Sequence, residues 1–330
     1  MPPSAPRAGL DLAARHAAPL FLLALVLLFA ALEPRFLHPL NVLNVLRQVS
    51  ITGLIALGMT FVILTRGIDL SVGAQVALTG LVAGYVAKGG FADRFAVGAA
   101  AEGGNPALLA LLAALGVGAL CGLVQGWAIT RLRVPPFVVT LGGLTAFRGA
   151  ALLFSGGGPI SGFAPDFLWW GQGRVWGLPV PVLVFAAVAL VAWLALRFSR
   201  FGLHVYATGG NPAAAGLNGV DVRRVELSVY VIVGLLSGLA SFLLAARLSS
   251  AEAVAGLQLE LDVIAAVVIG GTSLFGGVGS VFGTLVGVLL IGVLRNGLVL
   301  MNVSSFVQQI LIGLILVAAV AVDQRANLRR

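Results

Sequence analysis

Apolar residues occur in long runs separated by short polar or charged breaks. The runs fall near residues 17–32, 41–64, 70–86, 106–130, 137–154, 178–198, 226–247, 259–271, 278–300 and 304–322, which predicts about ten helices. The second run is long enough to tilt or to project beyond a bilayer. The third and eighth are short or interrupted by glycine, and whether they cross fully is open; broken helices of that kind line transport paths.

The chain is organised around residues 58–74, GMTFVILTRGIDLSVGA. An apolar run stops at Arg66-Gly67 and restarts after Asp69 and Ser71. A backbone polar group left unpaired in lipid costs several kcal/mol, so such a break needs built-in partners. Asp69 and Ser71 suit helix N-caps, and Gly67 suits a left-handed helix end. The stretch reads as a tight structural turn made by Gly67, Asp69 and Ser71, with a cap at a packed corner as the simplest role for Asp69.

Composition sets the class. Of 330 residues, 59% are hydrophobic and 10% charged, far fewer charges than the quarter or so of a soluble domain. The chain is therefore expected to be an all-α, polytopic membrane protein. The 44 glycines suit close helix packing. The net charge of +8 is explained by topology better than by nucleic acid, because most arginines lie between apolar runs. With both termini inside, twelve arginines lie in inside loops, against five basic residues outside (Arg35, Lys88, Arg94, Arg174 and Arg247). That asymmetry predicts cytoplasmic tails at 1–16 and 323–330 and places the Arg66–Asp69 corner inside. The first run lacks a small-residue cleavage site and is kept as a helix. A polar loop with Asp93, Arg94 and Glu102 is expected at 88–105. Trp169, Trp170 and Trp176 in the 155–177 loop point to a membrane interface.

The polar segment 199–225 is long for a connection. Within it Asn211-Pro212 can start a helix and Asn218-Gly219 can end one, leaving about one and a half turns of small residues. Such a helix is too short to stand alone. On these residues alone, a solvated loop and a partner-docking element both remain open.

Four blocks resemble the membrane subunit of bacterial ABC importers of the ribose/xylose/arabinose permease family. They are residues 58–74; 134–148, VPPFVVTLGGLTAFR; 208–222, TGGNPAAAGLNGVDV; and 260–277, ELDVIAAVVIGGTSLFGG. Arg66 departs from the small or uncharged residue expected before Gly-Ile-Asp. The resemblance implies a single permease domain over 1–330, working as a dimer with a second copy or a paralogue. It implies an ATPase subunit that carries ATP and magnesium, and a periplasmic sugar-binding protein that delivers a monosaccharide. The 199–225 loop would then hold the coupling helix, with Gly209, Gly210, Asn211, Ala213, Ala214, Gly216, Leu217 and Gly219 against the ATPase.

Polar residues inside spans mark a candidate translocation path at Gln75, Gln125, Thr140, Thr145 and Asn296, although bonding between helices accounts for such residues too. Arg47, Arg148 and Arg295 receive no role. Glu260 and Asp262 are expected to cap the eighth helix and counter its dipole, or to meet the binding protein. The only lysine, Lys88, is not in a P-loop, so ATP hydrolysis is not expected of this chain. One cysteine, Cys121, and scattered histidines leave neither a metal cluster nor a nucleophile–base pair. The alternatives are a branched-chain amino acid or nucleoside ABC permease and, from another class, an ion-coupled secondary transporter. A membrane enzyme is more distant.

Overall fold

The computed structural model describes residues 6–90 and 107–327. Most of the expected 88–105 loop, and Pro106, lie outside the described residues. Thirteen helices occur among the described residues. They are α1 (Pro6–Leu32), α2 (Pro39–Leu64), α3 (Val72–Ala87), α4 (Ala107–Arg131), α5 (Pro136–Ser155), α6 (Pro165–Gln172), α7 (Val180–Phe198), α8 (Arg200–Gly210), α9 (Pro212–Leu217), α10 (Val222–Leu248), α11 (Leu259–Ile269), α12 (Val281–Leu300) and α13 (Ser305–Asn327).

Each of the ten expected runs forms a helix. Among the described residues, α2, α4, α5, α7, α10 and α12 are long and apolar enough to cross a membrane. At 16 and 11 residues, α3 and α11 rise only about 24 and 16 Å, against a hydrocarbon core of about 30 Å. Neither crosses alone. The first helix begins earlier than expected, at Pro6, with its apolar part at Ala18–Leu32. The α10 helix starts at Val222, where Asp221 accepts a bond from the Arg224 N–H.

Glycine decides the tightest packing. Along α4, Gly118, Gly122 and Gly126 recur every fourth residue, facing Gly234 and Gly238 of α10. A Cβ on Gly118 would run into the Gly234 carbonyl, and one on Gly122 into that of Tyr230. The two backbones therefore touch directly, as small-xxx-small faces allow. Similar contacts join α11 to α12, where Gly270 meets Gly283 and Gly287 meets Ala266.

In its apolar window α2 is 78% buried and α5 only 17%, which puts α2 at the centre and α5 on the outside. Helices α10 and α12 pack beside α2. Two short antiparallel pairs lie in the connections: β1 (Ile160–Ser161) with β4 (Ser250–Ala251), and β2 (Arg174–Val175) with β3 (Leu178–Pro179). Trp176 and Gly177, with φ of 52° and 81°, form the two-residue turn between β2 and β3, as a type I′ hairpin requires. Trp176 stands out from the surface.

Candidate functional site

Helix α2 ends in a Schellman motif. The Gly67 N–H donates to Val62 O and the Arg66 N–H to Ile63 O, both at 2.9 Å. The left-handed residue is Arg66, with φ 67°, which corrects the expectation that Gly67 takes that conformation. A left-handed non-glycine residue costs roughly 1–2 kcal/mol. Gly67 meets a different need: a Cβ there would crowd the Tyr230 hydroxyl and Val62.

The Arg66 side chain reaches across the end of the bundle. Its Nε donates to Gly209 O at 2.6 Å and its Nη2 to Gly210 O at 2.5 Å. Those carbonyls belong to the last turn of α8, where helix acceptors lack partners of their own and a cation is favoured. The α8 helix itself was read from sequence only as a polar segment. Its signals were Ser199, which caps the Gly202 N–H, and the inward residues Gly202, Val205 and Thr208. The Tyr206 hydroxyl donates to Gly279 O at 2.9 Å, and burial pushes this phenol above its usual value.

After α8 comes α9, bounded as the sequence suggested. The Asn211 side chain accepts from the Ala214 N–H at 3.0 Å. At the other end Gly219, with φ 85°, closes a second Schellman motif through the Val220 N–H to Ala215 O bond of 3.0 Å. Only Ala215 turns inward; Ala213, Ala214, Gly216, Leu217 and Gly219 are exposed, Leu217 to 91%. Gly210 and Asn211 are exposed as well, while Gly209 is buried.

Beyond the Arg66 corner lies a buried polar cluster. Asp69 accepts from the Ser71 N–H at 2.8 Å, the Ser71 hydroxyl at 2.7 Å and Gln75 Nε2 at 3.0 Å. Ser71 Oγ in turn accepts from Gln75 at 2.8 Å and Gln125 at 2.6 Å. Asp69, Ser71, Gln75 and Gln125 are all buried. The N-cap position of α3 belongs to Ser71, whose side chain makes no capping bond, so the expected cap becomes a carboxylate knot. The buried Thr140 hydroxyl donates to Pro136 O at 2.9 Å and is 3.2 Å from Ile68 O.

The other candidate path residues lie apart. Thr145 is exposed on α5 and bonds only to its own helix, at Leu141 O and Gly142 O. Asn296 exchanges amide bonds of 2.8 and 2.9 Å with Asn41. Glu260 and Asp262 both lie in the first turn of α11, where they counter its dipole as expected, but the cap position belongs to Gln258, and Asp262 also pairs with Arg295 at 2.6 Å.

Sequence reasoning missed the segment before α11. Arg148 donates to Ala253 O at 2.5 Å and Ala255 O at 2.8 Å. Gly256 and Gly73 touch backbone to backbone, with the Glu260 carboxylate beside Gly73. Gln258 is exposed and left-handed, with φ 63°. The sequence signal was Ala-Gly-Leu-Gln ahead of an apolar run. Among the described residues no His, Cys, Asp and Glu group could hold a metal.

Residues 41–320 match the family model described as branched-chain amino acid transport system / permease component. The chain is 46% identical to the ribose import permease protein RbsC of Bacillus subtilis (strain 168), over 93% of this chain and 91% of that one. It is 43% identical to RbsC of Escherichia coli (strain K12), over 92% of each. Identity to the xylose transport system permease protein XylH of Haemophilus influenzae is 35%, over 92% of this chain and 94% of that one. No solved structure matches.

Proposed function

The chain belongs to the branched-chain amino acid transport system / permease component family, and from that premise we propose that it passes a monosaccharide of the ribose type through the inner membrane as the permease subunit of an ABC importer. It is a transport subunit and not an enzyme, as its relatives are transport permeases. The ribose import permeases, at 43–46% identity over most of the chain, carry the sugar assignment against the branched-chain amino acid reading.

A separate ATPase subunit binds ATP and magnesium, and a periplasmic sugar-binding protein delivers the solute. A second permease copy or a paralogue completes the translocation path. Both tails and the 199–225 loop face the cytoplasm. The exposed, doubly capped α9 supports its role as the coupling helix. Small side chains let a cleft close around it, and Leu217 projects into that cleft. Gly209 anchors the loop from behind, while Gly210, Asn211, Ala213, Ala214, Gly216 and Gly219 meet the ATPase.

For the path, an exposed polar group at membrane depth needs water or protein beside it. Thr145 and Gln258 fit that need. Gln75, Gln125 and Thr140 support the path from within by fixing the Asp69 corner. Asn296 acts as a clasp between α2 and α12.

Ala214→Arg tests the docking role: the variant assembles in the membrane but no longer co-purifies with the ATPase subunit. Retained co-purification and uptake would refute the assignment. Uptake of labelled D-ribose, D-xylose and L-leucine by cells with and without the chain tests the solute class.

A further inference from the structure

We propose that Arg66 is the positioning residue that transmits movement of α9 to the membrane-buried Asp69 cluster; this rests on the reading of α9 as the ATPase-docking helix. Three segments meet at the root of α9. The end of α2 contributes Leu64, whose carbonyl accepts from the Gly277 N–H at 2.9 Å. The end of α8 contributes Gly209, which has no room for a Cβ between Leu64 and Gly277. The turn before α12 contributes Gly276, which lies against the Arg66 side-chain stem.

Among the described residues, Arg66 is the one side chain that binds the first segment to the second by charge-assisted bonds, to Gly209 O and Gly210 O. Asn211, the cap of α9, follows immediately. On the other side only Gly67 and Ile68 separate Arg66 from Asp69. From there the bonds run on through Ser71 and Gln75 to Gln125 of α4. A displacement of α9 thus has a short route into the bundle, exposed at Arg66 and buried from Asp69 onward.

The backbone supplies the second argument. Arg66 occupies the left-handed position of a Schellman motif, where glycine rests without strain. Strain kept at one residue points to a use for its side chain. Arg66→Gly therefore separates two roles. It eases the backbone and removes the clamp, so a purely local structural role and a transmitting role predict different results.

The experiment uses hydrogen exchange on the full permease with its ATPase subunit in nanodiscs, with and without magnesium-ATP and vanadate. In the unaltered protein, trapping changes exchange in both 212–219 and 65–75. In Arg66→Gly the 212–219 response persists, while the 65–75 response falls about threefold or more as both clamp bonds are lost. Arg66→Lys, which retains the charge and one donor group, gives an intermediate response and covers the case in which the glycine variant fails to assemble. An undiminished 65–75 response in both variants overturns the proposal, as does an unaltered protein in which 65–75 never responds. If the ATPase subunit leaves 212–219 unprotected in the unaltered protein, the docking assignment itself fails.

Discussion

Ser71 carries more of the fold than its size suggests. Its hydroxyl donates to Asp69 and accepts from two glutamines, all buried. Ser71→Ala removes one of the two bonds to an Asp69 oxygen and leaves the Gln125 amide without its acceptor, at a cost of about 2–3 kcal/mol. SDS-titrated unfolding in mixed micelles should show that loss. Thr145→Val, which removes a hydroxyl bonded only to its own helix, should stay within about 0.5 kcal/mol. At this scale the sequence revealed which residues are unusual but not whom they meet. Asp69 and Gln75 stood out because polar groups are rare in apolar runs. The Asn41–Asn296 and Asp262–Arg295 pairs join residues far apart in the chain, and periodicity says nothing about such partners.

Local chemistry made α9 legible: asparagine and proline at its start, asparagine and glycine at its end, each now with a bond or angle to match. Asn211→Ala removes the cap of a six-residue helix, a loss of about 1 kcal/mol. ATPase binding measured by surface plasmon resonance should weaken about fivefold, with global stability unchanged. The α8 helix was not legible because its polar positions resemble a loop until its inward face finds α2 and the Gly279 turn. The α4–α10 crossing lies between these cases. Regular glycines were visible on both helices, but their mating was not. Gly122→Leu forces a side chain into the Tyr230 carbonyl; overpacking costs 1–3 kcal/mol or more, and accumulation in the membrane should fall sharply on immunoblots.

Across the whole molecule, hydropathy located the ten apolar helices but not their rank. Helices α2 and α5 are both apolar enough to cross, yet one is buried at the centre and the other lies at the margin. Burial depends on which helices pack around each one, and apolar composition is nearly the same for both. The two ends of the bundle follow from chain direction. Residues 64–67 and 206–210 share one end through Arg66. Ser161 pairs with Ser250, just past the far end of α10. In a Cys121→Ser background, a membrane-impermeant maleimide should label Ser161→Cys in intact cells and Ala214→Cys only in inverted vesicles. The reverse pattern would invert the orientation.

The contact between Gly73 and Gly256 has a consequence for inheritance. A seam made of peptide groups leaves point mutation nothing to retune, since any replacement adds bulk and levers the two segments apart. On the proposed reading, a change of solute has to work through neighbouring side chains such as Gln258, because neither glycine of the seam has room for a larger residue.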